Sequence, residues 1–187
     1  MVNSTGSSYS LCPIAESDLG WFVNTRNSCV EFLHDPREFT VFQAQDWWAH
    51  RKDDYRKILF NEEAIGYFRI GGIETRKSKK LLWVGADLAR PHQSAGHGKK
   101  IYEEFLPIFQ KEFEVDGFIL RVLPSNIRAI RLYLAVGFNI SSLKSSIDVE
   151  KREFVISDLE MIYSDSPDFA SLELDEIFGR KLNSNGG

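Results

Sequence analysis

The sequence predicts a single α/β domain in which a central mixed β-sheet carries helices on both faces. Its 187 residues suit one domain with a substantial core. Between residues 10 and 165, apolar residues recur with strand spacing and helix spacing in turn. The resulting order, β-α-α-β-β-β-α-β-α-β-β, is typical of a mixed sheet with helices on two sides. The polar ends, residues 1–9 and 183–187, are predicted to be disordered.

The N-terminal half is predicted to contain two helices among four strands. Ser17 is a good N-cap for a helix over 18–26, and Thr40 for one that continues past Trp48. β-branched and aromatic runs bounded by turn residues predict the strands 11–14, 58–60, 64–73 and 81–89. Two turns separate the last three of these strands, at 61–63 and at the basic segment 76–80.

The C-terminal half is predicted to alternate helices and strands. A helix over 99–113 contains Pro107, which we expect to bend it rather than end it, since the apolar spacing continues beyond. A second helix begins at Ser125 or Asn126 and stops at Gly137. Strands are predicted at 117–122, 138–143 and 154–163. A weakly amphipathic helix is predicted over 166–182, and it would suit a homodimer contact.

Charge and hydropathy argue against several classes of function. The net charge is −4, from 23 basic and 27 acidic residues, whereas nucleic-acid-binding proteins usually present a basic face. No apolar stretch approaches ~20 residues and the N-terminus lacks a signal-peptide pattern, so we expect a cytoplasmic protein without a membrane partner. Cys12 and Cys29 have no metal-ligand spacing, so no metal site is predicted.

A glycine-containing loop is the first segment that suggests chemistry. The strand 81–89 runs into a loop with Gln93, Gly96 and Gly98, and a helix begins there. Glycine lets a backbone approach a ligand closely, and the first amides of a helix lack internal partners. With the helix dipole and Lys99 they would form an anion site. A plain strand-to-helix turn that merely needs glycine explains the same residues.

A second segment follows the strand 117–122 and makes the interpretation more specific. The sequence there resembles the GNAT superfamily of acyl-CoA N-acyltransferases. The family's Gln-x-x-Gly-x-Gly loop matches residues 93–98. Its helix pattern matches Asn126, Ala129, Leu132, Tyr133, Gly137 and Phe138. Both motifs occur in the expected order, separated by a helix and a strand, and together they cover about a third of the chain.

The resemblance implies acetyl-CoA as cofactor and assigns its contacts. The backbone of Leu88 and Ala89 would meet the pantetheine arm where two strands splay apart. The pyrophosphate would lie against the loop, that is, against Gln93, Ser94, Ala95, Gly96, His97, Gly98 and Lys99. Asn126 and Ala129 would contact the arm, and Tyr133 would protonate the departing thiolate. Tyr133 could equally be a packed core aromatic.

The acceptor amine must react unprotonated, so a base is needed. Asp87 is our first candidate, because it is the single carboxylate in the apolar run 84–89. A solvent-facing or loop-anchoring role is the alternative. His34 is the second candidate base, since an ordinary imidazole titrates near neutrality. In the family a glutamate often lies nearer the start of this strand, where Trp83 stands here.

Residues 26–48 resemble two branches of the superfamily with different acceptors. One branch acetylates amino groups on nucleotide-linked sugars, and the other acetylates a ribosomal-protein alanine. We expect a small-molecule primary amine such as an amino sugar, with a protein N-terminus as the alternative. The charged segment with His34, Asp35, Arg37 and Glu38 is the expected acceptor pocket. A non-catalytic acyl-CoA- or partner-binding module is a third possibility, while a Rossmann domain fits poorly because its glycines belong after the first strand.

Overall fold

The computed structural model describes residues 8–148 and 153–165, which form one seven-stranded sheet with α-helices on both faces. The elements follow the predicted order: β1 (Tyr9–Pro13), α1 (Leu19–Asn27), α2 (Val41–Arg51), β2 (Tyr55–Phe60), β3 (Glu63–Arg76), β4 (Lys79–Leu88), α3 (His97–Phe113), β5 (Gly117–Val122), α4 (Ile127–Val136), β6 (Asn139–Asp148) and β7 (Glu153–Ser164). The predicted fold class is therefore confirmed.

The predicted ends of the domain are only partly within the described residues. Strand β1 already includes Tyr9, the last residue of the segment 1–9 that was expected to be disordered. The predicted helix 166–182 and tail 183–187 lie outside the described residues. No helix in the described part of the chain is long and apolar enough to cross a membrane.

The sheet has the strand order β1-β2-β3-β4-β5-β7-β6, and β4 and β5 form its one parallel pair. These two strands pair only where Leu81, Leu82 and Trp83 meet Gly117, Phe118 and Ile119. Beyond Trp83 no further pairing joins β4 to β5. The sheet therefore opens into a gap toward the C-terminal ends of both strands.

Two tight hairpins replace the longer turns that the sequence predicted. Asn61 and Glu62 have φ of 49° and 70°, and Lys77 and Ser78 have φ of 47° and 65°. Positive φ at both central residues is the type I′ pattern, which matches the twist of the flanking strands. Each hairpin thus needs only two turn residues. As a result β3 and β4 extend to Arg76 and from Lys79, inside the segment 76–80 predicted as a turn.

Alternation along the strands separates the two faces of the sheet. The α3–α4 face holds the larger core, for example Leu82 and Phe118 against Phe105. Helix α3 continues past Pro107 to Phe113, as predicted. The opposite face packs against α1 and α2, where Tyr67 lies in the same core as Phe22. Since Tyr67 pairs with Asp87, the Asp87 side chain belongs to this second face.

Candidate active site

The gap between β4 and β5 is the floor of a cavity of about 250 Å³. The predicted site residues that line it are His34, Asp87, Leu88, Gln93, Ser94, Gly96, Gly98, Lys99, Asn126, Ala129 and Tyr133. The structure therefore brings together residues from both sequence motifs. Ala95, His97 and Ala89 are the predicted site residues that do not line this cavity.

The backbone groups of Ala89 make hydrogen bonds to neighbouring residues. Its N–H donates to the carbonyl of Ile65 on β3 at 2.9 Å, and its own carbonyl accepts from the N–H of His92 at 2.9 Å. Both groups are therefore used within the protein. Because polar backbone groups alternate between the two sides of a strand, those of Ala86 and Leu88 point toward the gap instead.

The loop before α3 has the geometry of an anion site. Gly96 has φ of 82° and is the N-cap of α3, in the left-handed region that favours glycine. No side chain caps this helix end, so the first amides, from His97 to Lys99, have no intrahelical partner. A Cβ built on Gly96 would meet no atom within 4 Å, so open space lies above the loop. These features fit the pyrophosphate of coenzyme A.

The other loop residues have more varied roles than the motif implies. A Cβ on Gly98 would lie 2.9 Å from Cδ2 of Leu132, so this glycine permits α3 and α4 to pack closely. The His97 ring turns toward β1, where Nδ1 lies 2.7 Å from the Tyr9 hydroxyl. His97 can therefore offer its backbone amide to a ligand, but its ring is engaged elsewhere.

The Gln93 side chain stabilises the loop by hydrogen bonds to β4 and α4. Its Nε2 donates to the carbonyl of Leu88 at 2.8 Å, and its Oε1 accepts from Nη2 of Arg128 at 2.7 Å. Nη1 of Arg128 also donates to the Ser94 hydroxyl at 3.1 Å. Arg128, which sequence reasoning missed, thus joins α4 to the loop and places a cation at the cavity wall.

Helix α4 positions the remaining motif residues. Asn126 is its N-cap, with Oδ1 accepting from the N–H of Ala129 at 3.1 Å, and Nδ2 makes no hydrogen bond to the described residues. About two helical turns further on, Tyr133 is 8% exposed and packs edge-to-face on Tyr102. Burial raises the pKa of Tyr133 above its ordinary value. The phenol is therefore protonated near neutral pH and can act as a proton donor.

A second cavity of about 270 Å³ lies on the α1–α2 side of the sheet. Aromatic side chains dominate its wall, namely Phe22, Phe39, Trp47, Tyr55 and Tyr67. His34, Arg69 and Asp87 line both cavities. The two cavities therefore meet at one point, and two candidate bases lie there.

Asp87 is not the isolated carboxylate that the sequence suggested. Its Oδ2 lies 3.4 Å from Nε of Arg69, without the geometry of a hydrogen bond. The charge of Asp87 raises the pKa of Arg69 above its usual value, so this guanidinium is permanently charged. The Asp87 side chain is 9% exposed and its Oδ2 has no hydrogen-bond partner in the described part of the molecule.

The segment between α1 and α2 contributes less charge to the second cavity than expected. Arg26 donates to the backbone carbonyls of Asp35 and Arg37, which fixes the path of the segment. The Arg37 side chain pairs with Asp35 at 2.7 Å and is exposed, and neither Arg37 nor Glu38 lines the cavity. His34, in contrast, lies in the cavity wall and bonds through Nε2 to Oδ1 of Asp158 on β7.

The chain matches the model of the acetyltransferase (GNAT) family over residues 22–138. No protein with a curated description matches it. Solved structures share its fold, among them a putative acetyltransferase from Salmonella typhimurium with its cofactor acetyl-CoA, with a TM-score of 0.65 at 14% identity over 85% of this chain and 95% of that one.

Two further structures with the same fold differ in the acceptor that their names give. A ribosomal-protein-alanine N-acetyltransferase from Brucella melitensis has a TM-score of 0.64 at 16% identity, covering 83% of this chain and 99% of that one. Spermidine N-acetyltransferase from Vibrio cholerae, in complex with CoA and spermine, has a TM-score of 0.64 at 17% identity, covering 83% and 95%. With a family match over most of the chain and a cavity that fits coenzyme A, the protein belongs to the GNAT family and is an acetyl-CoA-dependent N-acetyltransferase.

Proposed function

We propose that this enzyme transfers the acetyl group of acetyl-CoA to the primary amine of a small molecule, with a nucleotide-linked amino sugar as the favoured class. The observation that carries the proposal is the meeting of two cavities at His34, Arg69 and Asp87. One cavity suits the cofactor and the other suits the acceptor. An amine that enters from the second cavity would reach the acetyl group beside two candidate bases.

The cofactor cavity is built to hold an extended arm with a charged end. Ala86 offers its backbone N–H and carbonyl along the gap, and Leu88 offers its N–H, since the Leu88 carbonyl already accepts from Gln93 Nε2. On the opposite wall Asn126 offers Nδ2, which has no hydrogen bond to the described residues. The amides from His97 to Lys99 would bind the pyrophosphate. Bound acetyl-CoA supplies the acetyl group as a thioester whose sulfur leaves with the electron pair of the broken bond.

Two proton transfers are assigned to residues near the point where the two cavities meet. Asp87 would take the proton from the arriving ammonium, because it lines both cavities and its Oδ2 has no hydrogen bond. His34 is the second candidate for the same step. As the C–N bond forms and the C–S bond breaks, the phenol of Tyr133 would donate its proton to the sulfur, and the second proton of the nitrogen would return to the phenolate, directly or through solvent.

The contact between His34 and Asp158 favours a small acceptor over a protein N-terminus. It joins the α1–α2 connection to β7 across the face that holds the second cavity. An extended peptide would need an open groove along that face, and the contact bridges it. This supports a compact acceptor, with the protein N-terminus as the alternative.

The proposal is tested first by thermal unfolding with acetyl-CoA and then by an amine screen. At about 100 times its Kd the cofactor should raise Tm by roughly 5–10 °C. Glucosamine and a UDP-linked amino sugar should be acetylated, while a peptide with a free N-terminal alanine should not. Preferred turnover of the peptide would refute the small-molecule assignment.

A pair of aspartate variants tests the assigned base. Asp87→Asn should lower kcat by about a hundredfold, because a neutral amide accepts no proton. Asp53→Asn, at an exposed position outside both cavities, is the matched control. A kcat in Asp87→Asn close to that of the wild type would transfer the role to His34.

A further inference from the structure

Two arginines flank the point at which the cavities meet. Arg69 on β3 pairs with Gly85 on β4. Trp83 and Ile119 are the last residues paired between β4 and β5, so Gly85 and Arg121 each lie two positions further on, on the same face of the sheet. Arg69 and Arg121 therefore stand on either side of a residue that has no side chain.

Gly85, between the two arginines, leaves the space that the Arg69 guanidinium occupies. A Cβ built on Gly85 would lie 3.0 Å from Nη2 and 3.3 Å from Cζ of Arg69. Any larger residue at position 85 would displace this head group. The Arg69 guanidinium consequently lies over Gly85 of β4 and lines the cavity there.

Neither guanidinium is hydrogen-bonded within the described part of the protein. Arg69 has only its ion pair with Asp87, and its buried Nε has no partner. Arg121 stacks over the Trp83 ring at 5.0 Å, and its Nε lies 3.9 Å from Oε2 of Glu160, beyond hydrogen-bond distance.

The carboxylate nearest to Arg121 is already occupied. Glu160 accepts two hydrogen bonds from Arg76 and one from the hydroxyl of Ser142 at 3.1 Å. The side chains of Arg69 and Arg121 are 43% and 38% exposed and line the same cavity. The Nη groups of both arginines make no hydrogen bond to the described residues and are therefore free for a ligand.

We propose that Arg69 and Arg121 bind an anionic group of the acceptor, so that the substrate is an amine that also carries a carboxylate or a phosphate. The inference rests on the proposed function and narrows its substrate class. The planar fork of arginine suits both groups, through paired N–H···O bonds. Asp87 beside Arg69 would attract the ammonium while the arginines hold the anion.

The position of the two arginines separates this site from the cofactor's phosphates. They lie at the level of Gly85, near the closed end of the gap. The amides from His97 to Lys99 lie beyond its open end, after β4 has finished. A polyamine would have to place its second ammonium beside two guanidinium groups, which is electrostatically unfavourable.

Matched amines test the proposal, because the members of each pair differ mainly in the anionic group. Glucosamine 6-phosphate is compared with glucosamine for phosphate, β-alanine with 3-aminopropanol for carboxylate, and spermidine represents polyamines. In at least one pair the anionic member should have a kcat/KM at least about tenfold above that of its neutral partner. The pair with the larger ratio identifies the anion.

Arginine variants link that preference to the proposed residues. Arg69→Gln and Arg121→Gln should each lower the anionic-to-neutral ratio by roughly tenfold to a hundredfold, since each removes charged hydrogen bonds. Arg121→Lys should retain part of the ratio, because it keeps the charge without the fork. Arg131→Gln, at an exposed position on α4 outside both cavities, should leave the ratio unchanged.

Each contrary outcome overturns a different statement. Equal turnover within both pairs, or a preference for spermidine, overturns the anion site and leaves the small-molecule acetyltransferase standing. A rise in the KM for acetyl-CoA in Arg121→Gln that matches the rise for the acceptor places this arginine at the cofactor and also overturns the anion site. If acetyl-CoA raises Tm but neither these amines nor the amino sugars are acetylated, the proposed function and the inference both fail.

Discussion

Asp158 on β7 accepts a hydrogen bond from Nε2 of His34, which lies 124 positions earlier in the chain. A carboxylate in this position fixes the imidazole orientation and its tautomer, with the proton on Nε2. Nδ1 is then the nitrogen that can accept a proton. The contact also joins the α1–α2 connection to strand β7 across the same face of the sheet. One interaction therefore shapes the second cavity and orients a candidate base.

The first prediction concerns this pair. His34→Gln and Asp158→Asn should each lower kcat/KM for the acceptor by roughly tenfold, and the double variant should be no worse than His34→Gln alone. Steady-state kinetics of the four proteins measures the coupling. Effects that simply add would mean that Asp158 does not act through His34. The KM for acetyl-CoA should stay close to that of the wild type.

The second prediction concerns the loop at Gly96. Gly96→Glu should abolish acetyl-CoA binding, because it forces a non-glycine residue to φ of 82° and brings a carboxylate to the anion site. Calorimetry with acetyl-CoA measures the loss. Gly72→Glu is the matched control, since a Cβ there also meets no atom within 4 Å but its φ lies outside the left-handed region. Unchanged affinity in Gly96→Glu would remove the loop from the cofactor site.

The third prediction separates chemistry from packing at Tyr133. Tyr133→Phe should lower kcat by about a hundredfold with little change in acetyl-CoA affinity, because it removes a proton donor and preserves the ring. Tyr163→Phe is the control, on a nearby ring that packs on Phe138 and lies outside both cavities, and it should leave kcat unchanged. A normal kcat in Tyr133→Phe would make this tyrosine a packing residue.

The fourth prediction concerns stability in acid. Burial would raise the pKa of Glu160, but the hydrogen bonds and charge of Arg76 outweigh it, and the net pKa lies below the ordinary value. The stabilisation is thus present above the unfolded-state pKa of about 4.3 and is lost as pH falls through the lower folded-state value.

Glu160→Gln should therefore cost about 1–3 kcal/mol near pH 7, roughly 2–10 °C in Tm, and this difference should shrink in acid. Thermal unfolding of both proteins, at pH values from 7 down to below the unfolded-state pKa, measures the difference in Tm. The exposed Glu104→Gln serves as control. A difference that stays constant with pH would show that the Glu160 charge does not stabilise the fold.

The order of elements and the cofactor loop were predictable because their signals are local. Gly96 at a helix start and Asn126 at the next are each recognisable within a few residues. The sequence could not show that Gly98 also permits the close packing of α3 against Leu132 on α4. The family match confirms the fold and the cofactor, while the base remains a proposal.

The features that were missed depend on strand register. The prediction placed the backbone of Ala89 at the pantetheine arm, but its N–H bonds to Ile65, and this pairing sets which side of β4 each backbone group faces. Arg69 and Arg121 become neighbours only through β4, which lies between their strands. No spacing along the chain reports such a relationship.

The short pairing between β4 and β5 also has a mechanical consequence. The two strands are joined only over Leu81–Trp83, so the sheet consists of two sections, β1–β4 and β5–β7–β6, with a weak seam between them. A cofactor lying in the gap touches both sections and adds cohesion across the seam. A bound cofactor would therefore add stability to the fold at the place where the sheet itself is least paired.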